Sequence, residues 1–358
     1  MTSFVHELAT GRVVFGAGAL TRVADEVRRL HARRVLLIGG GHEKVYADAI
    51  ADDLGELLAG RIDEVVQHVP VAVAAEATRT ATELAADLLL CVGGGSATGL
   101  AKAVALRCGI PVLAVPTTYA GSEMSDIWGL TEADHKTTGR DRRVLPQVVV
   151  YDPELTVSMP AELTAMSGMN SLAHAVEARY APDASPIVAL IAEESVRALA
   201  RALPVCVRRP DDLDGRSGAL YGAFLAGVAL GNATMGVHHK ICHVLGGAYN
   251  LPHGGVHSAV LPYAVAYNRD CAPEAMRRLA AALGATDAAL AVWRLADRIG
   301  APTDLVSVGF DPAAIGEVAA AVAAAPPANP RPVTEQGVRE LLAAACRGEP
   351  PRLPVTAR

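Results

Sequence analysis

From about residue 10 to residue 152, short runs of β-branched residues and leucine alternate with longer stretches whose apolar positions recur at helical spacing. Arg34–Ile38, Leu88–Val92, Pro111–Val115 and Val148–Tyr151 read as buried strands, and Leu20–Leu30 and Ala97–Arg107 as helices between them. Such alternation predicts a parallel sheet flanked by helices, with ligands beyond the carboxyl ends of the strands. After Asp152-Pro153 the strand signals cease. Helical stretches follow at about Ala161–Arg179, Pro186–Ala202, Ser217–Gly246, Ala272–Leu283, Asp287–Gly300 and Pro312–Ala325. A last helix near Val333–Arg347 comes after the proline-rich joint Pro326–Pro332. The residue before a proline is pushed out of helical geometry, which makes Asp152-Pro153 a natural boundary. The expected organisation is an α/β dinucleotide-binding domain over 1–153 and an all-α domain over 154–358, with the active site between them. There is no internal repeat.

The run Leu88-Leu89-Leu90-Cys91-Val92-Gly93-Gly94-Gly95-Ser96 carries a buried strand into a helix. Gly93, Gly94 and Gly95 would let backbone amides approach a pyrophosphate at the positive end of that helix, with Ser96 beside them. A tight turn that binds nothing would use the same glycines. Gly16-Ala17-Gly18 lacks the third glycine of a dinucleotide fingerprint and reads as a turn. The strand Val35–Ile38 runs into Gly39, Gly40, Gly41 and His42, with no acid where one would hold the adenosine ribose. Strict NAD selectivity is therefore not expected; His42 and Lys44 lie close enough in sequence to meet a 2′-phosphate, and NADH or NADPH is the predicted cofactor. A third loop, Pro116 to Glu123, brings Thr117, Thr118, Tyr119 and Ser122 to the same end of the sheet, suited to phosphate and nicotinamide contacts or to capping a helix.

In the helical half, Asn170 and His174 stand four apart, as do His239 and His243, and His253 follows in the turn Leu251-Pro252-His253-Gly254-Gly255. Spacing by four puts each pair on one helix face. Three imidazoles and a carboxylate would hold a divalent metal, but the fourth group here is the Asn170 amide. A shell of three histidines and an amide attracts a cation less by one full charge, so no metal is expected to be required. His239-Lys240-Ile241-Cys242-His243 is not a zincin motif, because Lys240 stands where the glutamate base belongs.

Composition narrows the partners. The net charge of −6 is spread along the chain, which argues against nucleic acid and anionic membranes and for a small molecule. The six cysteines are scattered without a CxxC pair, fitting a reducing cytoplasm rather than a disulfide framework or a zinc-thiolate site. Met1–Thr10 lacks the basic start and apolar centre of a secretion signal, and no apolar run approaches a membrane span.

With GGGS at 93–96, TTYAGSE at 117–123, GMNSLAHAVEA at 168–178 and HHKICHVLGGAYNLPHG at 238–254, the whole chain resembles the iron-type alcohol dehydrogenases. In the metal-dependent members, an Asp at the position of Asn170 and residues matching His174, His239 and His253 bind iron or zinc. The departure at Asn170, with Ile127–Thr131, Lys136–Gly139 and Ala178–Pro182, is similar to the maleylacetate reductase branch, regarded as metal-independent. The resemblance implies reduction of maleylacetate to 3-oxoadipate by NADH or NADPH during aromatic degradation, in a cytoplasmic homodimer. On that reading His243, His253 and Lys240 are the expected catalytic groups. Asn170, His174, His239 and Tyr119 would hold the two substrate carboxylates, with Tyr119 and Ser122 closing the cleft. The rival readings are a metal-dependent alcohol or aldehyde reductase and a zinc-dependent lyase resembling dehydroquinate synthase.

Overall fold

The structure is a computed structural model describing residues 11–66, 69–132 and 135–351; the reading of Met1–Thr10 falls outside them. The chain forms two compact units. One contains the described residues up to Met159 together with Asp211–Leu220, and the other Pro160–Pro210 and the chain from Tyr221 onward.

In the first unit, β1 (Arg12–Phe15), α1 (Val23–Arg29), β2 (Val35–Ile38), α2 (Lys44–Leu54), β3 (Leu58–Ile62), α3 (Val71–Glu83), β4 (Leu88–Gly93), α4 (Gly95–Cys108) and β5 (Val112–Pro116) alternate. The hairpin β6 (Ile127–Glu132) and β7 (His135–Arg140) precedes β8 (Val148–Tyr151). Six strands make one parallel sheet in the order β1-β8-β5-β4-β2-β3, and the hairpin pairs separately and antiparallel. The four expected strands are present, and every residue of β2, β4, β5 and β8 is buried, which explains their unbroken apolar character. Strand order reverses between β2 and β4, so the carboxyl ends of these two strands flank the switch-point crevice where dinucleotides bind in such sheets. Asp152, at the end of β8, accepts from the amides of Gly18 (3.2 Å), Leu20 (2.9 Å) and Glu154 (3.0 Å), pinning the Gly16–Gly18 turn to the sheet.

The second unit is helical: α5 (Ala161–Tyr180), α6 (Pro186–Arg208), the later turns of α7 (Leu213–Gly231), α8 (Val237–Ala248), α9 (His253–Asn268), α10 (Pro273–Ala282), α11 (Ala288–Arg298), α12 (Ile315–Ala324) and α13 (Glu335–Arg347). Its core gathers Val237, Ile241, Val256, Val260, Leu305, Val318 and Leu342 from α8, α9, α12, α13 and a connecting loop. Burying each such side chain contributes roughly 1.5–3 kcal/mol. Side-chain caps start several helices where periodicity placed them: Ser185 accepts from Val188, Asp287 from Leu290 and Thr334 from Gly337.

Two expectations are corrected. Ser217–Gly246 is not one helix: α7 ends at Gly231 and α8 begins at Val237. The break is made from a distance, by the buried Glu177 carboxylate of α5 accepting the amides of Gly236 (3.0 Å), His238 (3.0 Å) and His239 (3.2 Å) and so capping α8. Gly236 allows this approach, since a Cβ there would stand 3.0 Å from Glu177 Oε1 and 2.8 Å from Asn329 Oδ1. His253 does not sit in a turn; it is the first residue of α9, whose central residues are buried on every side and therefore show no amphipathic period.

Candidate active site

The α/β unit presents its glycine loops at the crevice between β2 and β4. Helix α4 opens at Gly95 with no side-chain cap and no acid in its first turn, leaving its leading amides and positive end for an anion. Gly94 packs against Thr118, whose Cγ2 would lie 3.1 Å from a Cβ there. Gly93, at φ +147°, occupies backbone space that side chains rarely adopt. Ser96 is half-buried behind Gly95. Gly39 and Gly40 have a packing reason as well: Cβ atoms on them would come within 2.7 Å of Val92 O and 1.9 Å of Asp63 O.

Glu43, five residues past the end of β2, brings a carboxylate to this crevice. Its side chain returns over the strand ends, where Oε1 accepts from Thr117 Oγ1 (3.1 Å) and Cδ lies 3.9 Å from where a Gly93 Cβ would be. Thr117 is itself fixed by its amide donating to Gly93 O (3.1 Å). His42 is exposed, and the Lys44 ammonium is paired with Asp48 at 2.7 Å.

Beneath the Thr117–Ser122 loop lies a residue that sequence reasoning passed over. Lys102 of α4 is 1% exposed, and its ammonium donates to the carbonyls of Ser122 (2.5 Å), Ser125 (2.7 Å) and Ile127 (2.8 Å). Burial pushes Lys102 down to about 8. Nearby Glu123 is also buried, accepts from Tyr151 Oη at 2.7 Å and is raised by desolvation. Tyr119 is fully buried in its own unit, where Arg216 Nη1 donates to its hydroxyl at 3.2 Å. Ser122 Oγ is buried without a hydrogen-bond partner. The signal for Lys102 was a cation inside the apolar pattern of α4.

The helical unit gathers six histidines from α5, α8 and α9. His174 stacks on His239 with ring centroids 5.0 Å apart, His239 lies 6.2 Å from His243, and His253 lies 4.3 Å from His257. His238 and His257, absent from the sequence reading, sit behind this row, with His238 Nε2 and His257 Nδ1 at 3.0 Å and Cys242 Sγ 3.6 Å from His238 Nε2. His238 escaped notice because it stands beside His239 and off the spacing of four, and His257, four residues after His253, because His253 was read as part of a turn and not as the start of α9. His243 and His253 are exposed, whereas Asn170, His174 and His239 are nearly buried. Lys240 is half-exposed, and its side chain makes no hydrogen bond or ion pair among the described residues. Burial first, and neighbouring imidazoles second, hold His174, His238 and His257 well below the ordinary histidine range, so these rings are neutral near pH 7. Three atoms on facing helices are buried without partners: Asn170 Oδ1, His174 Nδ1 and His239 Nε2.

The Iron-containing alcohol dehydrogenase family matches residues 10–153, and the Fe-containing alcohol dehydrogenase C-terminal family matches residues 164–346. This chain belongs to the iron-containing alcohol dehydrogenase family. Among its relatives, maleylacetate reductase from Sphingobium indicum is 49% identical over 97% of this chain and 99% of the relative. The solved maleylacetate reductase of Rhizobium sp. strain MTP-10005 superposes with a TM-score of 0.94 at 42% identity, covering 98% of this chain and 100% of that one. An iron-containing alcohol dehydrogenase from Corynebacterium glutamicum matches with a TM-score of 0.94 at 46% identity, over 98% and 99%. No helix among the described residues is long and apolar enough to cross a membrane.

The donor set can be tested against the iron of the family's name. Asn170, His174 and His239 offer an amide and two imidazoles, and the one carboxylate hydrogen-bonded to them among the described residues, Glu177, already serves His239 Nδ1 and three amides. No anionic ligand is offered, so the set fits a tightly held divalent ion poorly.

Proposed function

We propose that this chain reduces maleylacetate, or a close substituted analogue, to 3-oxoadipate with NADH or NADPH and without a required metal. The observation that carries the reading is Asn170: in a chain 49% identical to a maleylacetate reductase, a neutral amide stands among the histidines where a metal site would need a carboxylate. A dianionic substrate is better accepted by a pocket wall without its own acid.

The nicotinamide cofactor, when bound, supplies the hydride. The amides at the start of α4, with Gly93 to Gly95 and Thr118, hold its pyrophosphate, and Glu43 faces the crevice beside them. Hydride adds to one alkene carbon, the displaced electron pair moves toward the conjugated carbonyl oxygen, and a proton closes the neighbouring carbon. In this reading His243 and His253, whose imidazoles are exposed, carry that proton, and Asn170 and His174 orient the carboxylates. Lys240 contributes positive charge at the margin. All six cysteines are free thiols, consistent with a cytoplasmic enzyme of aromatic degradation, and the resemblance extends to a homodimer.

The test is loss of NADH or NADPH absorbance with fresh maleylacetate, using metal-stripped protein and a chelator in the buffer. Turnover under those conditions is expected. Activity that returns only when iron or zinc is added would refute the metal-independent reading.

A further inference from the structure

Glu177, on α5, was given no role by the sequence reading although it lies in the GMNSLAHAVEA run, yet it is fully buried and both oxygens of its carboxylate are hydrogen-bonded. Oε2 receives the amides of Gly236 (3.0 Å) and His239 (3.2 Å) and stands 2.7 Å from His239 Nδ1. Oε1 receives the amide of His238 (3.0 Å) and the hydroxyl of Tyr180 (3.4 Å). Backbone amides can only donate. Three amides and a hydroxyl donating to the two oxygens favour the ionised carboxylate, which can only accept. The remaining partner, His239 Nδ1, must then carry the hydrogen. In the neutral ring this leaves the lone pair at Nε2, which is buried and unpartnered in a ring stacked on His174.

We propose that Glu177 is a positioning residue that fixes the tautomer of His239, so that His239 meets the bound substrate with a hydrogen-bond acceptor and not a donor. The proposal rests on the histidine cluster being the active site. It reassigns one role: a ring with its lone pair outward does not hold a substrate carboxylate, and that task falls to the amide of Asn170 and to His174. The same carboxylate caps α8, so the helix start and the ring orientation are set by one group and cannot drift apart. Orienting an active-site imidazole through its second nitrogen is a general use of a buried carboxylate.

The direct test is nitrogen NMR on metal-free wild-type protein labelled with 15N-histidine. His239 resonances are identified by their loss in His239→Asn. That variant retains an amide N–H able to reach Glu177 and removes only the ring's far nitrogen. The expected pattern is a protonated Nδ1 and an unprotonated Nε2 for His239; the reverse pattern overturns the proposal. A kinetic split provides the second test. His239→Asn is expected to lower kcat by about tenfold or more while KM for maleylacetate changes little. A large rise in KM with kcat retained would mean that Nε2 holds the substrate as a donor, and would also overturn it. If wild-type protein fails to reduce maleylacetate, the assignment of substrate falls, while the NMR result still decides the role of Glu177.

Discussion

Replacing Lys102 by methionine keeps the length and most of the volume of the side chain but removes every hydrogen-bond donor. Three carbonyls, those of Ser122, Ser125 and Ile127, then lose a charged partner now 2.5–2.8 Å away. Hydrogen bonds to a charged group contribute about 1.5–3 kcal/mol each. Against that loss, methionine escapes the cost of burying an ammonium. That cost is seen in the fall of Lys102 from 10.5 to about 8, worth roughly 3 kcal/mol at about 1.4 kcal/mol per pKa unit. The net destabilisation is about 1.5–6 kcal/mol, a large share of the stability of an ordinary domain. The carbonyls belong to the segment that follows Thr117 and Thr118, so cofactor binding should weaken with stability. Urea unfolding followed by circular dichroism gives the first quantity, and quenching of protein fluorescence by NADH gives the second. A variant within about 1 kcal/mol of wild type, with an unchanged Kd for NADH, would refute the reasoning.

The remaining expectations follow from the same geometry. Glu43→Gln removes a negative charge at the switch-point crevice and should raise the ratio of kcat/KM for NADPH over NADH by about tenfold; an unchanged ratio means that the 2′-phosphate never meets Glu43. Asn170→Asp adds a charge beside the unpartnered nitrogens of His174 and His239, so zinc should bind more tightly by about tenfold or more and KM for maleylacetate should rise; equilibrium dialysis and initial rates read the two effects, and no change in either contradicts the role given to Asn170. His174, His238 and His257 are held neutral when folded, whereas the unfolded chain takes up protons near pH 6.5. Stability is therefore complete above that pH and falls below it, by up to about 1.4 kcal/mol per pH unit for each ring. Tm should drop between pH 7.5 and 5.5, and a flat profile would count against neutral, buried rings.

The sheet was legible because β2, β4, β5 and β8 are buried on both faces and carry nothing but apolar residues or a closing proline, glycine or tyrosine. β3 was not, since Leu58–Ile62 is half-buried, contains Gly60 and Arg61, and offers neither a continuous run nor a strict alternation. The hairpin β6–β7 escaped for a related reason: β6 is half-buried up to its exposed last residue, Glu132, and Gly129 interrupts it. Helix α9 hid because a helix packed on every side has no polar stripe, and Pro262 within it reads as a stop. At the site, spacing by four found His174, His239 and His243, which share helix faces. It could not find Glu43 or Glu177, whose partners are distant in sequence and whose roles arise only when the chain folds, and it passed over His257 because His253, four residues earlier, was read as part of a turn.

The carboxylate of Glu177 sets the frame of the histidine cluster without touching residue 170. Asparagine and aspartate codons differ by a single nucleotide. A scaffold whose imidazoles are aimed independently of that position can therefore exchange a neutral pocket for an anionic one in one mutational step. On the proposed reading, metal-assisted and metal-free reductases would be neighbours in sequence space on this frame, joined by a passage that leaves the fold intact.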